Sequence, residues 1–496
     1  MPAGRSFPLV LLGVVCALSV GARLFHLDIP SESTPGSGFV FDEKYYVNAA
    51  RVVAGVPMNA VDTYANASPA GTDPNGEHPQ LGKVVIAAGI RVLGDNPWGW
   101  RITAVLFGTA SLLLLYWLVR CLGGSSWLAL GTTSIAAIEN LWLVSGRIAV
   151  LDMYVVPFML AGAAFYLRRQ PVVAGILLGV GACIKEFGVY ALLALLLLEA
   201  LRLVRWVFWD RFAAARAAEP APVVLPAPAV LEAPAGVAGE VDTGATADAV
   251  TGGAGGGGLW SLLRRLARRP ATRRAATPIV LCAVTVATFF SLLAVLDRTV
   301  TPYHDDHPVD SGQKAICDHM LLWSGACNHF AFMNKYAADL RSVDGPTGIA
   351  SYPWQFWGDV EPINYYTVTS TVRTGNEVTA VNTVVAYQGL IHPVILVTAW
   401  LAILLNLWWA VWRRDDISLF VVVWIVATWL PAEAFSLLDQ RTTYLYYMVV
   451  TLPAVFLGVA RLVGHRFVPR WLLGVWVGLV IAGFTILYPF RTLSGG

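Results

Sequence analysis

Apolar stretches of about 20 residues recur along this chain, the length that crosses roughly 30 Å of hydrocarbon. They are read near 6–25, 100–121, 124–145, 148–167, 171–186, 188–207, 277–297, 386–412, 417–437, 443–463 and 470–490. Lipid offers no partner for backbone N–H and C=O groups, so a spanning segment must satisfy them internally. Runs this long predict helices, because barrel strands would show runs of about ten residues with alternating polarity. Composition agrees: 13% of the residues are charged, against about 25% in soluble domains. The expected fold class is an all-α polytopic membrane protein with about 11 transmembrane helices and two large external loops, 26–99 and 298–385. Lys+Arg 34 against Asp+Glu 32 leave a net charge of +2. No basic field invites nucleic acid; the bilayer itself is the partner that composition implies.

The arginines orient the bundle. With the N-terminus in the cytoplasm, the inner loops hold Arg120, Arg168, Arg169, Arg413, Arg414, Arg461 and Arg466, together with the Arg-rich loop 208–276. The opposite orientation would put all of them outside. The first span resembles a signal peptide in its opening, but no A-x-A site follows Val20 and Arg23 falls where cleavage would be expected. It is read as retained. The expected location is the cell membrane, multi-pass, with both long loops extracytoplasmic.

Three regions follow: 1–207, with a catalytic first external loop; 208–276, a cytoplasmic linker; and 277–496, with the second external loop. Residues 217–258 are an Ala/Pro/Gly/Val tract that cannot build a core and read as disordered. Residues 259–275 read as an Arg-rich amphipathic segment on the anionic inner leaflet. Of six cysteines, Cys16, Cys121, Cys183 and Cys282 sit in or beside spans as small hydrophobes. Cys317 and Cys327 share an oxidising compartment, which allows a disulfide. The neighbouring His319 and His329 admit zinc instead, though the spacing matches no familiar finger.

Charge near a hydrophobic span is costly and usually functional. Here it collects on the external side: Phe41-Asp42-Glu43-Lys44-Tyr45-Tyr46, Glu77-His78-Pro79-Gln80-Leu81-Gly82-Lys83, Arg147 with Asp152, Lys185-Glu186, and Arg441 before Tyr444-Leu445-Tyr446-Tyr447. Each pair alone could be an interfacial ion pair. Five pairs at one face suggest a site. Cations near the outer surface suit a lipid-linked phosphate, and a carboxylate beside them suits a base acting on an incoming hydroxyl. A sugar phosphodiester already has a good leaving group, so one carboxylate suffices where hydrolysis of a glycoside uses two. The chemistry pointed to is glycosyl transfer from a polyprenyl-phosphate sugar.

These motifs, with Ser145-Gly146-Arg147…Asp152, Gly181…Lys185-Glu186 and Ser351-Tyr352-Pro353-Trp354, resemble the protein O-mannosyltransferase family, membrane glycosyltransferases of the GT-C fold. Gln80 stands where that family has the second Pro of His-Pro-Pro, and Glu186 where it usually has Trp. The resemblance implies inverting transfer of mannose from a polyprenyl phosphate to Ser/Thr hydroxyls of exported proteins. Asp42 would be the base, and Glu43 would orient the acceptor or tune Asp42. Arg147, Lys185 and Arg441 would meet the donor phosphate. His78, Lys83, Asp152, Tyr352 and Trp354 would line the substrate groove, with Asp152 orienting Arg147. For Lys83 a snorkelling lysine fits as well, and for the aromatics, Trp357 included, an interfacial belt fits as well.

The acceptor is a protein or a glycan, and coupling to the secretion machinery is expected. No cofactor is required by this reading; a divalent metal stays open, although no metal-ligand spacing is legible. Two alternatives stay open. One is transfer of another polyprenyl-linked sugar to a glycan or lipid, as aminoarabinose transferases do. The other is a transporter, which would show internal repeats and midplane charges. The topology is testable: a cysteine at Ala235 should resist an impermeant thiol reagent in intact cells, and one at Ser68 should react. The reverse pattern overturns the site reading.

Overall fold

The computed structural model describes residues 3–31, 38–57, 71–205, 270–303, 311–374 and 377–488. The chain forms two units, Met1–Leu198 with Thr277–Gly496, and Glu199–Ala276. In the second unit the described residues end one helix and begin another, and Arg202 pairs with Glu199 at 3.1 Å. The tract 217–258 and most of 259–275 lie outside the described residues.

The helices are α1 (Ala3–Leu24), α2 (Glu43–Ala54), α3 (Leu81–Leu93), α4 (Pro97–Cys121), α5 (Ser126–Ile138), α6 (Asn140–Ser145), α7 (Leu151–Leu167), α8 (Pro171–Ala182), α9 (Gly188–Arg205) and α10 (Pro270–Thr299). Then come α11 (Ser311–Asp318), α12 (Ser324–Asp339), the antiparallel hairpin β1 (Ile363–Thr374) and β2 (Glu377–Gly389), α13 (Pro393–Trp412), α14 (Asp416–Asp439), α15 (Leu452–Val463) and α16 (Arg470–Leu487). Among the described residues, six helices are long and apolar enough to cross a membrane, within α1, α4, α10, α13, α14 and α16. Four more, α5, α7, α8 and α15, are apolar but shorter. The polytopic, mainly helical class holds; the count of about eleven spans is not confirmed among the described residues.

The differences have local causes. The expected span 124–145 breaks after Ile138, because the buried Glu139 carboxylate caps α6, accepting from Leu141 N at 3.2 Å and Trp142 N at 2.7 Å. The same carboxylate accepts from His392 N at 3.1 Å, tying this break to the start of α13. Residues 386–389 close the hairpin, and the helix begins only at Pro393. Residues 445–450 form a 3-10 turn before α15. Within 26–99, α3 is an unanticipated apolar helix that is followed after three residues by α4. Asn96 caps α4 through Trp98 N and Gly99 N, with Pro97 in the first turn.

The core centres on α7, almost wholly buried and packed between α4 and α8. Small residues let α8 approach α10. A Cβ on Gly179 would fall 2.6 Å from Thr288 Cβ and 2.8 Å from Thr285 O, the close packing that membrane helices use. A Cys317–Cys327 disulfide joins α11 to α12. It consumes the thiols that the zinc reading needed, and His329 turns instead to Asp297, with Nδ1 at 2.9 Å. Gly179→Ile should overpack α8 against α10, at a cost of about 1–3 kcal/mol, and lower the thermal midpoint in detergent. Gly474→Ile, where a Cβ meets nothing within 4 Å, should leave it unchanged.

Candidate active site

Two adjacent acids meet opposite surroundings. Glu43 is fully buried. Arg101 on α4 grips it with two prongs, Nε to Oε1 at 2.9 Å and Nη2 to Oε2 at 2.8 Å. Glu43 also accepts from Val40 N at 2.8 Å and Ala149 N at 2.9 Å. Arg101 spends its other donors on the carbonyls of Leu27, Pro30 and Gly38. Asp42, one residue earlier, caps α2 only in position; its side chain makes no capping bond. It is half-buried, and the preceding Phe41 sits at φ +56°, a region that costs a non-glycine residue about 1–3 kcal/mol.

The groups around Asp42 come from four places in the chain. Lys185, between α8 and α9, pairs with Asp152 at 2.8 and 2.9 Å. The Lys185 ammonium lies 4.7 Å from the Phe187 ring centre, 5.0 Å from Tyr446 and 6.0 Å from Tyr447. His78 Nδ1 is 3.3 Å from Glu186 Oε2, and its ring lies 5.9 Å from that of Tyr46. Burial pushes the Asp42 carboxyl up to about 6, against the opposing pull of Lys185, while Asp152 adds to the rise. At Glu186 burial alone would raise the carboxyl, but the charge and hydrogen bond of His78, with a backbone hydrogen bond and Lys185, together hold the group low.

The remaining expected residues are placed elsewhere. Lys83 is buried and bonds Asp73 at 2.5 Å, His78 O at 2.8 Å and Asn75 O. It anchors the loop that carries His78, so its ammonium faces protein. Arg147 is also buried. It donates to the Tyr488 hydroxyl at 2.7 Å and to the carbonyls of Phe25 and His26 at 2.9 and 2.8 Å. Asp152 therefore does not orient Arg147; it orients Lys185. Arg441 donates to Ala337 O and lies in electrostatic range of Tyr444 and Tyr190. It also borders a separate recess of about 280 Å³, lined by Ser351, Tyr352, Trp354, Gln440 and Thr443 among others. The Tyr352 and Trp354 rings stack there at 4.2 Å. Trp357 is buried against Trp400 and Trp429.

Arg101 escaped the sequence reading, although an arginine one turn into an apolar run was itself a signal. Gln80 is explained by α10: its amide donates to Asp297 at 3.2 Å and to Thr301 O, bonds that a proline could not make. Among the described residues, no three or more His, Cys, Asp or Glu side chains gather as a metal set. The arrangement offers an acid without a hydrogen-bonded partner, beside a lysine held by another acid and caged by aromatic rings. It can take a proton from a hydroxyl while a cation faces a developing negative charge.

The fold is that of the GT-C membrane glycosyltransferases. The yeast protein O-mannosyltransferase Pmt1-Pmt2 complex bound to the sugar donor matches with a TM-score of 0.56 at 11% identity, over 98% of this chain and 89% of that one. The oligosaccharyltransferase AglB of Archaeoglobus fulgidus matches at 0.50 and 12%, over 99% and 56%. At such identities the likeness speaks for the fold alone. In sequence, residues 14–216 are similar to the family Dolichyl-phosphate-mannose-protein mannosyltransferase. A polyprenol-phosphate-mannose–protein mannosyltransferase of Corynebacterium glutamicum is 31% identical over 167 residues, covering 32% of this chain and 31% of that relative. Its counterpart in Mycobacterium tuberculosis is 27% identical over 175 residues, covering 34% and 31%. The matched region thus spans about a third of the length of the curated relatives. The motifs around Asp42, His78, Arg147 and Lys185 fall inside this matched region, and those at Tyr352 and Arg441 fall outside it.

If Glu43 is a fixture and Asp42 a reactive group, substitution separates them. Glu43→Gln leaves Arg101 buried without its charge, a loss of about 3–5 kcal/mol, and should lower the thermal midpoint in detergent markedly. Asp42→Asn should leave that midpoint near wild type.

Proposed function

We propose that this chain transfers mannose from a polyprenyl-phosphate donor to Ser/Thr hydroxyls of exported proteins, at the extracytoplasmic face of the cell membrane and with inversion. The carrying observation is the Asp42 carboxyl, half-buried and without a hydrogen-bonded partner beside the Lys185–Asp152 pair. The family match over 14–216 and the names of the relatives support the donor and acceptor classes. The N-terminus lies in the cytoplasm by the arginine distribution. The region 1–207 supplies base and lysine, 277–496 supplies Arg441 and the tyrosines, and 208–276 links them. Coupling to the secretion machinery would bring acceptors while still unfolded.

In this reading Asp42 takes the proton of the acceptor hydroxyl. The freed oxygen attacks the anomeric carbon from the face opposite the phosphate. The bond from that carbon to the phosphate oxygen breaks, and the lipid phosphate leaves with the electron pair. Lys185 faces the charge that develops there, with Arg441 as second cation, while Asp152 holds the Lys185 ammonium in place. Glu43 acts at one remove by fixing the backbone that carries Asp42. His78 borders the acceptor side and holds Glu186. Tyr352 and Trp354 line the recess beyond Arg441, where an extended acceptor would continue. Lys83 and Arg147 hold the walls.

The test is purified full-length protein with radiolabelled polyprenyl-phosphate mannose and a Ser/Thr-rich peptide, following label into peptide. Asp42→Asn should reduce transfer by about 10²–10⁴ while donor binding persists. Because Asp42 works only when deprotonated, transfer should fall as pH drops through about 6, and the residual rate of the variant should be flat there. More than a tenth of wild-type activity in folded Asp42→Asn would end the assignment. Label appearing in lipid or glycan, and none in peptide, would redirect the acceptor class.

A further inference from the structure

A long groove runs along the bundle between α1, α5, α15 and α16, with a volume of about 1360 Å³, beyond the roughly 300–1,000 Å³ of ordinary small-molecule pockets. It exists because α16 packs on α13 and buries only Val480 along its length. At one end α16 meets α1, where the Tyr488 hydroxyl donates to Ala22 O. Away from that end small residues leave the trough open. A Cβ on Gly21 would meet nothing within 4 Å, and one on Gly131 only the Ala460 methyl, at 4.0 Å. The walls are mostly apolar, with Val15, Leu128, Ile135, Leu473, Trp476 and Val477 among them and Ser19 and Ser134 between.

The other end is basic. Arg413, Arg461, His465 and Arg466 line it, with Asp415 as the single acid. Arg461 is spoken for, since it donates to Asp415. Arg413 lies over the Trp408 ring at 5.0 Å. Among the described residues neither Arg413 nor Arg466 has a carboxylate partner. Their charges converge: burial first, then Arg466, Arg413 and Arg461, hold the His465 ring below its ordinary range.

An apolar trough with two uncompensated arginines at its mouth is complementary to an anionic amphiphile. Length selects among amphiphiles. The α5 wall from Ser125 to Ile138 rises about 20 Å at 1.5 Å per residue, close to the ~15 Å that one leaflet contributes to the hydrocarbon core. A polyprenyl chain would overrun it. We propose that this groove binds an anionic diacyl phospholipid of the leaflet at the arginine end, with its phosphate between Arg413 and Arg466 and an acyl chain between α1 and α16. The site is separate from Asp42 and independent of the reaction proposed above.

The experiment is native mass spectrometry of the full-length protein, delipidated in detergent and titrated with phosphatidylglycerol, phosphatidylcholine or undecaprenyl phosphate. Wild type should retain phosphatidylglycerol about tenfold more strongly than phosphatidylcholine, because each surface arginine adds to anionic-lipid attraction. The double variant Arg413→Gln/Arg466→Gln should keep its phosphatidylcholine level and lose the preference. Gly131→Leu should fill the trough and reduce both lipids; lipid-free elution volume and thermal midpoint serve as the folding control, and should that variant fail it, the arginine pair decides alone. Equal retention of the two phospholipids by wild type, an unchanged preference in the double variant, or a loss of undecaprenyl phosphate in the double variant larger than its loss of phosphatidylglycerol would overturn the proposal. So would cross-linking of Trp476 to residues 206–269, which would make the chain itself the occupant.

Discussion

A carboxylate survives inside a helix bundle only if both its charge and its lone pairs are met. Glu43 meets both conditions through one guanidinium and two backbone amides. That single interaction orders the part of the site around Asp42. Through Arg101 it draws in the carbonyls of Leu27, Pro30 and Gly38, and through Ala149 it fixes the turn before α7. Three distant stretches of chain are thus set around one side chain. Asp42 has a defined place only because its neighbour has no freedom.

The same contrast recurs with the lysines. Lys83 is saturated by Asp73 and two carbonyls, whereas Lys185 has one carboxylate and a ring of aromatic faces. Aromatic faces attract a cation without neutralising it, so an arriving phosphate can still gain from Lys185. In each pair of like residues one builds the wall and the other, in the reaction proposed above, is left for chemistry. Burial without a hydrogen-bond partner is what lifts Asp42 toward the range where a carboxylate works well as a base near neutral pH.

The sequence was legible where physics acts through runs and signs. Apolar length announced a helical membrane protein, and arginines placed Arg413, Arg461 and Arg466 together at one end, as the groove shows. Charges beside spans located Asp42, His78, Asp152 and Lys185. What it could not show is which partner each charge takes. Arg147 with Asp152, five residues apart, looked like a pair; the turn between α6 and α7 sends Arg147 to Tyr488, 341 residues away. The break at Glu139 was hidden for the same reason, since its caps lie nearby but its third bond comes from His392. The hairpin 363–389 carried no apolar length to announce it.

The position of Arg147 has a consequence for the donor. A guanidinium chosen for its two-pronged geometry is useful to a phosphate only if its prongs are free. Here one nitrogen meets the Tyr488 hydroxyl and another meets two carbonyls at the end of α1. To turn toward a phosphate, Arg147 would leave three oxygens behind in a buried place, and each such loss costs about 1–3 kcal/mol. Lys185 needs no such exchange, because an added anion joins Asp152 and the rings around it. In the proposed reaction the phosphate therefore falls to Lys185 and Arg441, and Arg147 serves by joining α1 to the end of α16.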